Sequence, residues 1–313
     1  GLVLSDGSGN AIDATVESCT YIVEEGDLEL TIPFENHNNI AAGQDHSLVI
    51  SASGNVVAWG EYQIAEMVVP IGLEDVVAVA SAGHTSYALT TSGDVVAWGD
   101  DAACDCLTNV EGLSDIVAID GGQSGAIALT ASGNVITWGQ DSWGGNDVPD
   151  ILNGRTVAIS AGSDHYIALT EDGNVVAWGR NTYGQTDVPE GLSDVVAISA
   201  GGSYNLALTA SGAVVIWGTG DVENENIDFL NDVDVVAIQT GAGHFLALTA
   251  SGYVIAWEPQ VGNNTWGQID VPDGLSDVVA IYAGFNHSLA LTASGDVVAW
   301  GMNGSGQTDV PDG

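Results

Sequence analysis

The strongest constraint on the fold is a short phrase, Val-Val-Ala-Trp-Gly, that returns with small changes along most of the chain. Successive copies of its tryptophan are 39, 40, 40, 39, 40 and 43 residues apart. The seven copies are Trp59, Trp98, Trp138, Trp178, Trp217, Trp257 and Trp300. A period of about 40 residues indicates a repeat protein, in which units that are unstable alone bury their apolar faces against their neighbours.

Each repeat contains short apolar runs that are separated by glycine turns, as in residues 278–284 and 289–292 of the last copy. Runs of four to seven residues rich in Val, Ile, Leu and Ala are typical of strands and are too short for helices. A Ser-Gly or Asp-Gly pair predicts a tight hairpin between the second run and the third, because glycine accepts a positive φ. The polar stretch at 181–189 predicts a loop with a short edge strand, where Pro189 is tolerated.

Three or four antiparallel strands per repeat describe one blade of a β-propeller. The strands are apolar on both faces, so a single sheet cannot bury them, whereas seven sheets can do so by closing a ring. We therefore predict an all-β chain in which residues 38–313 form a seven-bladed propeller. Residues 39–43 are expected to follow the last repeat as the next inner strand and so to close the ring.

The full motif is Gly-x-x-His-Ser-Leu-Ala-Leu-Thr-x-x-Gly-x-Val-x-x-Trp-Gly from Gly284 to Gly301, followed by Gly306-Gln307. It resembles the repeat of the regulator of chromosome condensation (RCC1) family, and the resemblance covers residues 38–313. It implies a seven-bladed propeller, closer in character to the secreted bacterial relatives. The eukaryotic founder is an exchange factor for a small GTPase that docks on chromatin, but its functional loop residues have no counterpart here, and the basic arm is missing.

The charge of the chain narrows the classes of partner. The chain has 42 acidic residues and two basic ones, Arg155 and Arg180, with no lysine, so its net charge is −40. Such a surface repels phosphates, which predicts that nucleic acid is not a partner. It also favours an extracellular or cell-surface location in a saline setting, in a bacterium or an archaeon, because salt screens the repulsion. No run of 18 apolar residues occurs, so membrane insertion is not expected.

The sequence contains few motifs that indicate catalysis or the binding of a metal or cofactor. No nucleophile elbow, phosphate-binding Gly-Lys loop or zinc-like ligand set is present, which predicts a protein that is not an enzyme, has no catalytic residues and carries no metal or cofactor. Weak or non-specific Ca²⁺ binding by the acidic loops is the one exception. The three cysteines, Cys19, Cys104 and Cys106, make no disulfide framework, although Cys19 can pair with either of the others.

One column of polar residues has two interpretations. The third residue after the glycine that ends each first strand is His46, Ser86, Gly125, His165, Tyr204, His244 and His287. Four imidazoles near the ring axis would suit a metal ion. The replacement of histidine by Ser, Gly and Tyr instead favours hydrogen bonding to a neighbouring blade.

The candidate binding residues are aromatic side chains that follow the repeat tryptophans: Tyr62, Trp143, Tyr183 and Trp266. Aromatic groups on one rim anchor proteins and stack on sugars, which predicts a binding surface. The alternative is that these rings pack against the adjacent blade and cover a loop.

Residues 1–37 lie outside the repeats and form a separate N-terminal extension. Residues 26–32 alternate polar and apolar, which predicts a strand that uses Leu28, Leu30 and Ile32 for assembly. This strand can pair with the propeller edge, end a preceding domain, or insert into a second copy.

Together these patterns predict a non-catalytic propeller that is extracellular or on the cell surface and binds a protein or a glycan. The alternative is a structural subunit of a surface layer or filament that self-associates through residues 1–37. An enzyme, or an enzyme inhibitor that uses one propeller face, comes third.

Overall fold

The computed structural model describes residues 4–5, 11–12, 39–51, 53–60, 68–100, 106–107, 110, 112–218, 227–259 and 264–311. Contacts divide the chain into two units, residues 1–35 and 36–313. In the first unit, β1 (Leu4–Ser5) pairs antiparallel with β2 (Ala11–Ile12). The predicted assembly strand with Leu28, Leu30 and Ile32 lies outside the described residues, as does the candidate binding residue Tyr62.

The second unit is built from seven antiparallel sheets of three consecutive strands each, which we number as blades 1 to 7. The strands are β3 (Ile40–Ala42), β4 (His46–Ile50) and β5 (Val56–Gly60) in blade 1; β6 (Val76–Ala82), β7 (Thr85–Thr90) and β8 (Val95–Gly99) in blade 2; β9 (Ile116–Gly121), β10 (Gly125–Thr130) and β11 (Val135–Gly139) in blade 3; β12 (Thr156–Ala161), β13 (His165–Thr170) and β14 (Val175–Gly179) in blade 4; β15 (Val195–Ala200), β16 (Tyr204–Thr209) and β17 (Val214–Gly218) in blade 5; β18 (Val235–Thr240), β19 (Phe245–Thr249) and β20 (Val254–Trp257) in blade 6; and β21 (Val278–Ala283), β22 (His287–Thr292) and β23 (Val297–Gly301) in blade 7. Short 3₁₀ turns occur at Asp150–Leu152 and Asp228–Leu230. The predicted all-β, seven-bladed propeller is confirmed.

The hairpins inside the blades form as predicted. The turn glycines all have φ between +74° and +91°. They are Gly54, Gly93, Gly133, Gly173, Gly212, Gly252 and Gly295. In blade 2 the Thr90 hydroxyl lies 2.8 Å from that of Ser92, and the Thr90 N–H donates to the Asp94 carbonyl at 3.0 Å. A residue with a Cβ would be strained at this φ, so glycine sets the position of each hairpin.

The core lies between adjacent blades. All seven repeat tryptophans are buried, with 2 to 9% of their surface exposed. Leu48, Ile127 and Leu206 of the middle strands are fully buried in the same layers. The innermost strands are rich in alanine, so neighbouring sheets approach closely near the axis, where Ser163 N–H donates to Gly201 O of the next blade at 2.9 Å.

The polar stretch after the tryptophan contains no edge strand, so that part of the prediction is wrong. In residues 180–189, Asn181 Nδ2 donates to Asp187 Oδ1 at 2.8 Å, and the Thr186 N–H donates to Asn181 Oδ1 at 3.0 Å. Short polar side chains thus bind backbone and side-chain groups locally, which competes with a strand ladder. The result is a compact loop.

The loops after blades 4 and 6 each bond to the blade that follows. After blade 4, the Gln185 carbonyl accepts hydrogen bonds from Trp217 Nε1 at 3.1 Å and from Asn205 Nδ2 at 2.8 Å, both in blade 5. After blade 6, the Gln268 carbonyl accepts from Trp300 Nε1 and from the Ser288 hydroxyl of blade 7, each at 2.9 Å. We call this carbonyl and its two donors the latch.

The ring closes through the same contacts. The Gln307 carbonyl, which follows blade 7, accepts from Trp59 Nε1 at 2.9 Å and from the Ser47 hydroxyl at 3.0 Å in blade 1. Ile40 of β3 packs in one cluster with Tyr282 of blade 7. The predicted closure through residues 39–43 is therefore observed.

The latch predicts a difference between two tryptophans. Trp217 donates to a latch carbonyl, whereas Trp257 Nε1 has no hydrogen-bond partner in the part of the chain that the structure describes. Trp217→Phe and Trp257→Phe remove the same volume from buried sites. We expect Trp217→Phe to lower the free energy of unfolding by about 1 kcal/mol more, because it alone breaks a hydrogen bond and leaves a buried carbonyl one donor short. Urea unfolding of both variants measures this difference, and equal losses would contradict the latch.

Candidate functional site

The four histidines of the polar column bridge adjacent blades. Their Nε2 atoms contact a polar side chain of the next blade at 2.8 to 3.1 Å. The pairs are His46 with Ser86, His165 with Asn205, His244 with Ser288, and His287 with Ser47. Hydrogen bonding to a neighbouring blade, the interpretation that the sequence favoured, is confirmed.

The direction of these bonds follows from the latch. The Ser288 hydroxyl donates its proton to the Gln268 carbonyl, so it accepts from His244 Nε2–H. The same reasoning applies to His287 and Ser47. Three of the bridges, those of His165, His244 and His287, therefore connect a histidine, a serine or asparagine, and a latch carbonyl. In the described residues, no group of three or more His, Cys, Asp or Glu side chains could hold a metal ion.

One predicted member of the column, Ser86, does not occupy the histidine position. Strand pairing sets Thr85 opposite Gly99, as His46 is set opposite Gly60, so Thr85 is the equivalent of the histidine and Ser86 is the acceptor of the bond from His46. The column is counted as the third residue after a glycine, and in blade 2 that glycine is Gly83. The equivalent of Gly43 is Ala82, one residue earlier, so the count from Gly83 ends one residue too late. A Cβ at Gly43 would overlap the His46 ring. Alanine is accepted in blade 2 because threonine replaces that ring.

Burial depresses the basicity of these imidazoles. Desolvation lowers the pKa of His46 and His287 to about 3, and the neighbouring histidines add to the effect. Desolvation likewise lowers the pKa of His165 and His244 to about 4. All four rings are therefore neutral at pH 7.

This predicts that the histidine bridges weaken in acid. Unfolded histidine titrates near pH 6.5, so between pH 6.5 and 5 the unfolded chain binds protons that the folded chain does not. Each bridging histidine then lowers the free energy of unfolding by about 1.4 kcal/mol per pH unit as the pH falls. We expect His165→Gln to reduce this slope by about one proton relative to the wild type in urea unfolding across this range. An unchanged slope for His165→Gln would contradict the assignment.

The candidate binding aromatics are half-exposed. Trp143, Tyr183 and Trp266 expose 53, 47 and 52% of their surface and lie at equivalent positions in the loops after blades 3, 4 and 6. The buried Gln185 fixes the loop of Tyr183, because its side-chain Oε1 accepts from the Tyr183 N–H at 2.8 Å. Gln268 does the same for Trp266 at 3.1 Å. Each glutamine thus orients an aromatic ring towards solvent while its carbonyl forms the latch.

Two of these aromatics meet at an arginine that the sequence analysis did not select. The Arg180 guanidinium carbon lies 5.0 Å from the centre of the Trp143 ring and 5.6 Å from that of Tyr183. Arg180 Nη1 also contacts Asp164 Oδ2 at 2.9 Å. We call these three residues the Trp143–Arg180–Tyr183 cluster. The available signal was a cation directly after Trp-Gly in a chain with only two arginines.

A second polar feature lies at the ring axis. Asp120 Oδ1 accepts from the Gly121 N–H at 2.9 Å and from the Tyr282 hydroxyl of blade 7 at 3.2 Å. Asp120 Oδ2 accepts from the Ser160 hydroxyl and the Ala161 N–H of blade 4, each at 2.9 Å. Desolvation raises the pKa of Asp120, and these four donors oppose that shift. No repeat or motif in the sequence points to this carboxylate.

Cys106 also contributes to the ring. Its carbonyl accepts from Trp138 Nε1 of blade 3 at 3.1 Å, as a latch carbonyl does, but its second donor is the Tyr87 hydroxyl of blade 2, at 2.8 Å. Cys106 is in a disulfide, and the other two cysteines lie outside the described residues.

The fold and its repeats define an RCC1-like propeller. Residues 38–61, 157–185 and 278–307, in blades 1, 4 and 7, match the family described as regulator of chromosome condensation (RCC1) repeat. No curated protein sequence matches the chain significantly. The described residues contain no helix that is long and apolar enough to cross a membrane.

Solved structures share the architecture. The ectodomain of the receptor kinase CR4 from Physcomitrella patens has a TM-score of 0.69 at 19% identity, with 84% of this chain and 73% of that chain covered. The CRINKLY ectodomain of the receptor kinase ACR4 from Arabidopsis thaliana has a TM-score of 0.66 at 18% identity, covering 86% and 97%. Prp20p from Saccharomyces cerevisiae has a TM-score of 0.62 at 18% identity, covering 80% and 81%. At these identities the similarity establishes the fold.

Proposed function

We propose that this protein is a non-catalytic, extracellular or cell-surface propeller that binds a protein through the rim carrying the Trp143–Arg180–Tyr183 cluster. The observation behind the proposal is the cluster itself, in which two half-exposed aromatic rings lie on an arginine that is fixed by Asp164. Tryptophan, tyrosine and arginine dominate the binding energy of protein interfaces.

The cluster is ordered before a partner arrives. Arg180 Nε donates to the Thr182 hydroxyl at 3.2 Å, and Asp164 also accepts from the Ser124 hydroxyl at 2.6 Å. Gln185 holds the backbone of Tyr183. These side chains therefore lose little conformational entropy when a partner binds, which favours affinity.

The charge of the chain favours a basic protein segment as the partner. With 42 acidic residues against two arginines, the chain attracts lysine and arginine side chains. The open faces of the aromatic rings can then bind those cations. Prp20p is described as binding Gsp1p and histones, which supports a protein partner for a propeller of this fold. The extracellular or cell-surface location rests on the acidic, lysine-free composition, since salt screens such a surface.

The proposal is tested with Trp143→Ala/Tyr183→Ala and a matched control, Tyr253→Ala. Tyr253 is 57% exposed in the hairpin between β19 and β20, at the end of β20 opposite to the loops that carry the cluster. Calorimetry at fixed salt measures the binding of lysine- and arginine-rich peptides, of acidic peptides of equal length, and of neutral oligosaccharides. We expect the basic peptides to bind, and the double variant to bind at least about tenfold more weakly, a loss of about 1.4 kcal/mol.

Tyr253→Ala is expected to bind like the wild type. Equal affinity of the wild type and the double variant would exclude the cluster as the binding surface. Binding of oligosaccharides without binding of basic peptides would replace the protein partner by a glycan.

A further inference from the structure

A small polar cavity lies on the propeller axis. It has a volume of about 80 Å³ and its polar lining consists of Asp120, Ser160, Gln239 and Tyr282, from blades 3, 4, 6 and 7. Ala118 and isoleucines from the inner strands of blades 3, 4 and 5 form the remainder of the wall. We call this space the axial cavity.

Asp120 is the sole charged side chain among the residues that line the axial cavity. Both arginines are paired with other carboxylates, Arg155 with Glu171 and Asp172, and Arg180 with Asp164. The chain contains no lysine. The Asp120 residue is half-buried, and it lines both the axial cavity and the wider pocket formed by the inner-strand glycines. A carboxylate with restricted access to water and no counter-ion is costly, so a positive charge from solution is favoured beside it.

The other oxygens of the cavity can serve that charge. Two of the four donors to Asp120 are the Ser160 and Tyr282 hydroxyls. The Ser160 oxygen also accepts from the Ala200 N–H at 3.0 Å, which leaves it one lone pair for an ion, and the Tyr282 oxygen can turn its lone pairs towards the ion. The Tyr282 bond is the longest of the four, at 3.2 Å. The Gln239 side chain lines the cavity and makes no hydrogen bond to the residues that the structure describes, so its amide oxygen is free to bind.

We propose that the axial cavity binds one Na⁺ ion through the Asp120 carboxylate, the Ser160 and Tyr282 hydroxyls and the Gln239 amide oxygen. An all-oxygen donor set suits a hard cation. One carboxylate balances one positive charge, whereas a divalent ion would leave a buried excess charge. A volume of about 80 Å³ admits a sodium ion with one or two waters, at about 30 Å³ for each water.

Such an ion would join four of the seven blades across the axis. Asp120 already bridges blades 3, 4 and 7 by hydrogen bonds, and Gln239 adds blade 6. Because the ion binds the folded ring and not the unfolded chain, it stabilises the ring in proportion to the logarithm of its concentration.

The test is thermal unfolding of the full chain at constant ionic strength, with NaCl replaced stepwise by choline chloride, whose cation is too large for the cavity. We expect the unfolding midpoint to rise with Na⁺ by about 2–4 °C for each tenfold increase above the dissociation constant. Asp120→Asn is expected to lose this sodium-specific rise. Asp273→Asn, which makes the same charge change on an exposed loop, is expected to keep it.

A second variant and a direct measurement cover the case in which Asp120→Asn does not fold. Gln239→Leu keeps the carboxylate and removes one proposed ligand, so its midpoint should depend less on Na⁺. Sodium-23 NMR of the wild type should show exchange broadening that Gln239→Leu reduces. Equal midpoints in NaCl and choline chloride, or no broadening, would overturn the site. An equal rise in KCl would overturn the selectivity for sodium.

Discussion

Three junctions of the ring depend on a backbone carbonyl that accepts two hydrogen bonds from the following blade. At Gln185, Gln268 and Gln307 that carbonyl receives an indole N–H and a side-chain donor. This contact satisfies the N–H of a buried tryptophan, and the side chain of the same glutamine holds the loop backbone. The histidine bridges at these junctions end on the same carbonyl, and the exposed Tyr183 and Trp266 lie in loops that these glutamines fix.

The repeat pattern predicted the strands and hairpins because the tryptophans and turn glycines act locally or between nearest neighbours. It failed where a choice depends on a contact that crosses a junction. The expected edge strand at 181–189 is replaced by side-chain hydrogen bonds of Asn181. Ser86 was misassigned because the overlap between a histidine ring and a Cβ, which demands glycine in blades 1, 4, 6 and 7, is absent from blade 2.

The candidate sites were partly visible. Trp143 and Tyr183 were predicted from their shared loop position, and the structure brings them together on Arg180. Arg180 itself departs from the repeat, and a pattern search gives weight to what recurs. Asp120 was not predicted as a site residue for the same reason, since an aspartate occurs at this inner-strand position in one repeat only and the chain has 42 acidic residues. In a protein of near-identical units, specific chemistry is found at the positions that break the symmetry.

Ring closure has a topological consequence. The junction between blade 7 and blade 1 uses a glutamine carbonyl, an indole and a serine, which is the arrangement found between blades 6 and 7. The junction that closes the ring is therefore built like the internal junction before it. Linking residue 311 to residue 39 and opening an exposed loop elsewhere would give a circular permutant with the same neighbours. Such a ring can grow from the duplication of one unit, because each copy already carries the surface that the next copy requires.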